Sequence, residues 1–231
     1  MSHVFPEDLR GRDAAAGAWP VAVAGAPFYR RAGKRALDLA LVSMALPVVL
    51  PVVALLWLLL WLEGGSGFYR QQRIGRGGRV FSCIKLRTMH RDAERQLREC
   101  LAADPLRARE WQEHQKLADD PRVTRLGRFL RRTSLDELPQ LWNVLRGDMS
   151  LIGPRPFTPE QKRIYDREPG AETYYRLRPG ISGLWQVEAR HNSAFRCRVA
   201  YDSRYEASLS LKTDLLILLR TVGAVLRASG A

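Results

Sequence analysis

One apolar run constrains this fold more than any other feature of the sequence. Residues Leu39 to Leu62 form about 24 consecutive residues without a charge, enough for the ~20 that a helix needs to cross the hydrocarbon core of a membrane. Pro47 and Pro51 lie one helical turn apart inside the run. Each removes a backbone donor and crowds the preceding turn, at a cost of about 3 kcal/mol in a regular helix. The run therefore predicts a membrane helix with a sharp bend.

The charges around the run bear on its topology. Four cations precede it and four follow it closely: Arg30, Arg31, Lys34 and Arg35, then Arg70, Arg73, Arg76 and Arg79. Because cytoplasmic flanks carry the excess of Lys and Arg, both ends are expected in the cytoplasm. The pattern favours a re-entrant hairpin, broken at Pro47 and Pro51, over a straight span. A buried core helix is a third, less favoured alternative.

Composition limits the class of partner. The chain has 231 residues, 37 Lys and Arg against 24 Asp and Glu, a formal net charge of +13 and 46% hydrophobic residues. It can bury a substantial core, and its charge implies an anionic partner, whether nucleic acid, anionic lipid or phosphorylated small molecules. Composition alone does not choose among these. The three cysteines are far apart and lack a CxxC pair, so they indicate neither a disulfide framework nor a zinc site.

The chain divides into four predicted segments. Residues 1–33 are rich in Ala, Gly and Pro and are predicted to be a mobile arm rather than a secretory signal. Residues 34–62 are the predicted membrane hairpin, and residues 63–207 a compact domain. Residues 208–231 carry apolar side chains at helical spacing, which predicts a helix that packs on the domain or lies at the membrane surface.

A β-hairpin is predicted early in the compact domain. Phe68 to Arg73 and Val80 to Thr88 flank a glycine-rich turn. In the second strand Lys85 and Arg87 share one face, so that two cations project side by side. An ordinary solvated strand face explains the same pattern equally well.

Two adjacent carboxylates, Asp136 and Glu137, stand at the start of an apolar stretch. Four arginines precede them, namely Arg125, Arg128, Arg131 and Arg132. Cations beside two carboxylates stabilise their ionised forms and attract an anionic ligand, which suggests a phosphate-bearing substrate. A capping box of Ser134 and Glu137 is the alternative, although Pro139 would then fall at the fifth helical position, where its missing donor is costly. The residues by themselves leave catalysis and capping equally open.

Further on, two arginines are candidate phosphate ligands. Arg155 lies between Pro154 and Pro156, and the fixed backbone of both prolines holds it in a rigid frame suited to bidentate binding of a phosphate. Arg178 opens a turn followed by a short apolar element and is a further candidate anion contact.

Six segments in this order resemble the bacterial sugar transferase family, the monotopic polyprenyl-phosphate phosphoglycosyl transferases. The segments are Lys34-Arg35-Ala36-Leu37-Asp38 before the proline-broken run, Gln72-Arg73-Ile74-Gly75, Lys85-Leu86-Arg87-Thr88-Met89, Ser134-Leu135-Asp136-Glu137-Leu138-Pro139-Gln140, the segment from Gly147 to Pro156, and the segment from Arg178 to Val187. The segments run from residue 34 to residue 187, within a resemblance that covers about residues 34 to 226. Together they are far more specific than any one of them.

The resemblance implies a membrane enzyme that moves a sugar-1-phosphate from a UDP-sugar to undecaprenyl phosphate and releases UMP. In the family the acid that matches Asp136 is the nucleophile, which forms a phosphoaspartyl intermediate, and Glu137 helps to bind Mg²⁺, so that both acids are candidate metal ligands. The matched cations predict substrate and phosphate contacts by Lys85, Arg87, Arg131, Arg155 and Arg178. The chain looks most like the short transferases that prime exopolysaccharide synthesis with galactose or glucose, and a hexose is preferred to an N-acetylated sugar.

The expected fold class is mainly α with a small β-hairpin or sheet. It combines a re-entrant helix-break-helix with a compact cytoplasmic catalytic domain and amphipathic interfacial helices. The expected location is the cytoplasmic face of the bacterial inner membrane, with membrane lipid as a partner, no nucleic acid, and a homodimer as a further expectation. The rival interpretation is a non-enzymatic, basic peripheral protein that binds anionic lipid or nucleic acid.

Overall fold

The computed structural model describes residues 28–63, 66–115, 117–189 and 194–226. These residues form ten α-helices, two pairs of strands and three short 3₁₀ turns. The helices are α1 Lys34–Leu62, α2 Ala93–Ala103, α3 Pro105–His114, α4 Arg125–Arg132, α5 Gln140–Arg146, α6 Pro159–Tyr165, α7 Glu172–Arg176, α8 Leu184–Glu188, α9 Arg198–Ala207 and α10 Leu211–Leu226. The strands are β1 Phe68–Ile74, β2 Val80–Leu86, β3 Ser150–Ile152 and β4 Gly180–Ser182. The prediction of a mainly helical chain is confirmed.

The long apolar helix α1 contains both prolines of the membrane run. Its 29 residues continue across Pro47 and Pro51 without a change to non-helical backbone, so the predicted break between two helices is not found. A proline in a helix interior loses one hydrogen bond and bends the axis, and neighbouring turns can maintain the helix on either side. By length and composition the helix is able to cross a membrane, and little of it is buried inside the protein. How it enters the bilayer stays a prediction.

One stripe of α1 packs on the rest of the protein along most of the helix length. Val42 packs with Phe81, Cys83, Val144 and Met149, and Leu56 and Leu60 pack with Leu86 and Leu130. The opposite face is exposed and apolar, and its most exposed members are Met44, Val48, Leu50, Leu55, Trp61 and Leu62. An exposed apolar face of this size on one helix indicates association with a membrane.

The start of α1 is tied to α10 by a buried polar network. A π-helical turn, Tyr29–Gly33, precedes α1, and the hydroxyl of Tyr29 donates to Oδ2 of Asp214 at 2.6 Å. Lys34 Nζ donates to the same oxygen at 2.7 Å, and the Tyr205 hydroxyl donates to Oδ1 at 2.6 Å. Tyr29 is therefore part of the fold, and the predicted arm boundary at residue 33 falls too late. Residues 1–27 of that arm lie outside the described part of the chain.

Helix α10 has one packed and one exposed side. Ile217 is fully buried against the core that includes Tyr29, Ile152 and Tyr205. Its outer side exposes Leu211, Leu215, Leu219, Val222 and Val225. The helix thus packs on the domain, which is one of the two predicted alternatives, and it presents apolar side chains outward. Contact of that outer side with a membrane surface stays a prediction.

The four strands form two separate two-stranded sheets. The antiparallel hairpin β1–β2 pairs Phe68 with Leu86 and Ile74 with Val80, which confirms the predicted hairpin. The second pair, β3–β4, is parallel and very short, with Ser150 opposite Gly180 and Ile152 opposite Ser182. It was not predicted from the sequence, because three-residue strands carry no readable alternation.

Candidate active site

Asp136 and Glu137 lie in a single 3₁₀ turn, Leu135–Glu137, between α4 and α5. Ser134 precedes the turn with a left-handed backbone (φ 57°) and makes no capping hydrogen bond with its side chain. Pro139 is the residue before α5, so its missing donor interrupts no helical hydrogen bond. The capping-box interpretation is therefore wrong. Both carboxylates are free for other contacts.

Glu137 accepts from two cations on different elements. Its Oε1 lies 2.8 Å from Lys85 Nζ on β2 and 2.8 Å from Arg155 Nη2 in the loop after β3. All three side chains are largely buried. Burial would raise the pKa of Glu137, but the charges and hydrogen bonds of Arg155 and Lys85 outweigh it and hold that pKa well below the usual range. Glu137 is therefore a fixed anion that orders two cations.

Asp136 is buried as well, yet it has no such partner. Within the described part of the chain, no hydrogen bond to its carboxylate oxygens is found, and the residue is 7% exposed. Burial raises the pKa of Asp136, Lys85 and Arg131 oppose that effect, and the charge of Glu137 adds to it. The sequence suggests that the arginines before the turn stabilise both ionised acids. The pKa of Glu137 is instead lowered by Arg155 and Lys85, and the pKa of Asp136 is raised despite the opposing charge of Arg131. The result is a carboxylate that is unengaged and costly to ionise.

After Lys85, Arg131 is the cation whose charge acts most strongly on Asp136. It projects from α4, and its Nε donates to Oγ1 of Thr88 at 2.8 Å. Thr88 follows β2 and so belongs to the same segment as Lys85. One short segment therefore places Lys85 on Glu137 and holds Arg131 near Asp136. The sequence offered no separate signal for Thr88 beyond its place in the matched motif.

Asn143 joins the carboxylate turn to the strand that carries Lys85. Its Oδ1 accepts from the backbone N–H of Ile84 at 3.0 Å, and its Nδ2 donates to the carbonyl of Ser82 at 2.8 Å. The residue is 1% exposed. A buried amide that satisfies backbone groups of a neighbouring strand fixes the distance between α5 and β2. Sequence analysis missed it, since one polar residue in an apolar helix carries no pattern.

The loop that carries Arg155 is held by glycines in close contact. Gly153 N donates to the carbonyl of Ser182 at 2.9 Å, and Gly180 N donates to the carbonyl of Pro154 at 2.8 Å. A Cβ added at Gly180 would lie 2.1 Å from the backbone nitrogen of Gly153. Only glycine permits this approach of two backbones. The two proline- and glycine-containing motifs of the sequence thus meet, and their contact positions Arg155.

The structure brings five of the seven predicted site residues together and leaves two apart. Arg87 donates from Nε to the carbonyl of Ser66 at 3.2 Å, and Arg178 donates from Nε to the carbonyl of Gly147 at 3.0 Å. Both therefore hold backbone groups outside the cluster around Asp136 and Glu137. Their assignment as phosphate ligands stays a prediction.

Asp136 and Glu137 are suited to a Mg²⁺ ion that takes its remaining ligands from water and from the phosphate oxygens of a substrate. Among the residues described, no group of three or more His, Cys, Asp or Glu side chains could hold a metal. Mg²⁺ commonly takes only one or two carboxylates and completes its shell with water and phosphate oxygens. Among the described residues, Lys85 and Arg155 both donate to Oε1 of Glu137, and no hydrogen bond is found to its Oε2 or to the oxygens of Asp136. These atoms are the available ligands.

The chain is similar in sequence to a known protein family and to several named proteins. The family model described as bacterial sugar transferase matches residues 29–228. Exopolysaccharide production protein ExoY of Sinorhizobium fredii is 43% identical over 199 residues, which cover 86% of this chain and 87% of that protein. A UDP-glucose:undecaprenyl-phosphate glucose-1-phosphate transferase of Caulobacter vibrioides is 40% identical over 205 residues, 86% of this chain and 71% of the relative.

A longer relative shows the same similarity. The UDP-galactose-lipid carrier transferase of Erwinia amylovora is 43% identical over 202 residues, 86% of this chain and 41% of its own length. The chain thus spans about two fifths of that protein. The family match covers the hairpin, the carboxylate turn and the Arg155 loop. The chain belongs to the bacterial sugar transferase family.

Proposed function

We propose that this protein transfers a sugar-1-phosphate from a UDP-sugar to undecaprenyl phosphate, releases UMP, and so primes exopolysaccharide synthesis. The single observation that supports this most is the contrast between the two acids. Among the described residues no hydrogen bond reaches the Asp136 carboxylate, whereas Glu137 binds Lys85 and Arg155 at 2.8 Å each. A carboxylate nucleophile must be unengaged, and the phosphate it attacks must meet fixed cations.

In the first step an oxygen of Asp136 attacks the phosphorus that bears the sugar. A new P–O bond forms between this phosphorus and the carboxylate. The bond from the phosphorus to the bridging oxygen breaks, and its electron pair leaves with UMP. Lys85, Arg131 and Arg155 are the cations whose charges act most strongly on Asp136. They lower the cost of bringing an anionic diphosphate to a carboxylate, and they hold it for in-line attack.

In the second step the lipid phosphate replaces the enzyme. An oxygen of undecaprenyl phosphate attacks the phosphoaspartyl phosphorus, the bond to Asp136 breaks, and the carboxylate is restored. The charges of Lys85, Arg131 and Arg155 aid this step, because they stabilise the Asp136 carboxylate as it leaves. The products are UMP and a polyprenyl-diphosphate sugar.

Mg²⁺ held by Asp136 and Glu137 would neutralise charge on the phosphate oxygens of the bound substrate. The cations of the protein act beside it. Glu137 does not need to gain or lose a proton in either step, since its pKa is far below neutral pH.

We place the site at the cytoplasmic face of the bacterial inner membrane, where a soluble nucleotide sugar and a lipid phosphate can both arrive. The exposed apolar faces of α1 and α10 support a membrane position, and the cations on both flanks of α1 support a re-entrant course. For the sugar we propose galactose or glucose. The relatives named above include both a UDP-galactose enzyme and a UDP-glucose enzyme.

Release of UMP tests this function. The full chain in nanodiscs is incubated with Mg²⁺, undecaprenyl phosphate and, in separate reactions, UDP-galactose, UDP-glucose and N-acetylated UDP-sugars. Lipid-dependent UMP release with one of the hexoses is expected. The rival, a basic peripheral protein, predicts no turnover and only salt-dependent binding to anionic lipid or nucleic acid. Absence of UMP with every UDP-sugar would contradict the proposal.

A further inference from the structure

Two further arginines, Arg73 and Arg198, lie close enough to Arg155 for the three charges to act on one another. Arg73 on β1 donates from Nη1 to the carbonyl of Pro156 at 3.0 Å, so its guanidinium lies beside the residue that follows Arg155. Arg198 opens α9, and its guanidinium carbon lies 4.1 Å from the centre of the Trp185 ring. The three side chains come from separate elements of the fold and converge on one place.

Aromatic packing connects Arg198 to the loop of Arg155. The Arg198 guanidinium carbon also lies 4.5 Å from the centre of the Phe195 ring. Phe195 packs edge-on against Phe157, with ring centres 6.4 Å apart, and Phe157 is the second residue after Arg155. Rings on two sides hold the guanidinium of Arg198 in a fixed plane, which orders its donors before any ligand binds.

The charges of this group are not balanced by the protein. Burial lowers the pKa of Arg198 to about 9, and the nearby charges of Arg155 and Arg73 act in the same direction, against Asp202. Glu137 is shared between Arg155 and Lys85. Asp202 accepts a hydrogen bond from the Tyr165 hydroxyl at 2.5 Å, and burial raises its pKa to about 7. The arginines therefore repel one another with an excess of positive charge.

Two buried donors of the group also lack an acceptor. Among the described residues, Nε of Arg73 and Nε of Arg198 are buried atoms without a hydrogen-bond partner. Buried donors are normally paired, and an unpaired one next to like charges is costly. An anion with several oxygens would satisfy both donors and the excess charge.

We propose that Arg73, Arg155 and Arg198 form a second anion site that binds the phosphate of the departing nucleotide. This assignment rests on the proposed function. A diphosphate donor presents two adjacent phosphates, and the transferred one must lie at Asp136, where Lys85, Arg131 and Arg155 act most strongly. Arg155 belongs to both groups, so the second phosphate falls between it, Arg73 and Arg198. Charge that develops on the bridging oxygen is then stabilised by preorganised donors.

Affinity for UMP tests the site without turnover. The full chain in detergent is titrated with UMP and with uridine, which lacks the phosphate, by calorimetry. Wild-type protein should bind UMP, and uridine at least tenfold more weakly. Arg73→Gln and Arg198→Gln should each weaken UMP binding by roughly tenfold or more, the usual scale for one charge-assisted hydrogen bond. Arg196→Gln, an exposed arginine two residues before Arg198, is the matched control and should bind as wild type.

Three further measurements keep the test decisive. UMP should raise the thermal unfolding midpoint of the wild type more than uridine does, and this gain should shrink in Arg73→Gln. If Arg198→Gln does not fold, Arg198→Lys retains a charge without the planar fork and should still weaken UMP binding. The kcat/KM for undecaprenyl phosphate should stay within about twofold in Arg73→Gln, because in a two-step transfer this ratio depends only on the second step.

Two results would overturn the site. One is UMP affinity at the wild-type level in the Arg73 and Arg198 variants. The other is a selective loss of lipid-phosphate binding with UMP binding intact, which would assign the arginines to the acceptor. Both differ from failure of the proposed function, in which the wild type itself releases no UMP from any UDP-sugar.

Discussion

Arg155 donates to Oε1 of Glu137 at 2.8 Å, whereas the adjacent Asp136 accepts no hydrogen bond from the described residues. Two neighbouring acids in one turn therefore have opposite electrostatics, with the pKa lowered for Glu137 and raised for Asp136. The two acids therefore have different roles. Glu137 orders the cations, and Asp136 is held unengaged for the incoming phosphate.

Replacing the buried, unpaired acid should stabilise the fold. Asp136→Asn removes a carboxylate whose ionisation is opposed by burial and by Glu137, so the free energy of unfolding at pH 7 should rise by roughly 1 kcal/mol. UMP release should be lost at the same time. Chemical denaturation in detergent measures the first effect. A destabilised Asp136→Asn protein would contradict the electrostatic account.

The neighbouring substitution should act in the opposite direction. Glu137→Gln leaves Lys85 and Arg155 without their shared anion, and we expect the free energy of unfolding to fall by roughly 1–3 kcal/mol. Glu168→Gln, at a residue with no ion pair among those described, is the control and should be neutral. Equal stability of Glu137→Gln and wild type would show that the two contacts contribute nothing.

The pH dependence of these two variants follows from the shifts. The stabilisation by Glu137 is present above the ordinary glutamate pKa of 4.5 and is lost as pH falls through its lowered folded pKa. The cost of Asp136 is absent at low pH and appears as pH rises from the ordinary value of 3.8 through its raised folded pKa. In acid, the loss of stability in Glu137→Gln and the gain of stability in Asp136→Asn, each relative to wild type, should therefore both become smaller. Denaturation curves between pH 3 and 7 check this, and a difference that grows in acid would contradict it.

The sequence predicted the hairpin, the long apolar helix and the convergence of Asp136, Glu137, Lys85, Arg131 and Arg155. The helix and hairpin follow from periodicity and turn residues, which are local. The convergence required the family motifs, because Lys85 and Glu137 are 52 positions apart and no local pattern relates them. Membership of one motif did not ensure a place in the cluster, since Arg87 and Arg178 bind backbone carbonyls elsewhere.

Other features depend on tertiary contacts alone. The raised pKa of Asp136 comes from burial, which adjacent charges in a sequence do not reveal. The capping box failed because Ser134 adopts a left-handed backbone. Asp38 is buried and accepts from Leu151 N at 3.0 Å, while its sequence neighbour Lys34 binds Asp214. A partner more than a hundred positions away competes equally with a neighbour once the chain is folded.

Asn143 should prove structurally essential although it touches no substrate. Asn143→Ala leaves the N–H of Ile84 and the carbonyl of Ser82 unpaired in a buried place, so stability should fall by about 2–3 kcal/mol. The distance between Lys85 and Glu137 would also relax, and UMP release should fall several-fold. Arg146→Ala, at an exposed position of the same helix, should change neither quantity. Wild-type stability of Asn143→Ala would refute the proposed link between α5 and β2.

The membrane course of α1 is open to a labelling test. Single cysteines replacing Arg31 and Ser66, both exposed, flank the helix in a background without the three native cysteines. A re-entrant course predicts that a membrane-impermeant maleimide labels both only from the cytoplasmic side. Labelling from opposite sides would establish a straight span.

Formation of a covalent phosphosugar adduct is the direct test of Asp136 as the nucleophile. The protein is mixed with Mg²⁺ and a radiolabelled UDP-hexose without lipid acceptor, and the trapped adduct is mapped by mass spectrometry. The account predicts one phosphosugar per active molecule on Asp136, equimolar UMP, and loss of the adduct in Asp136→Asn with the Glu168→Gln control unaffected. An adduct of undiminished yield in Asp136→Asn, or one mapped to another residue, would contradict it.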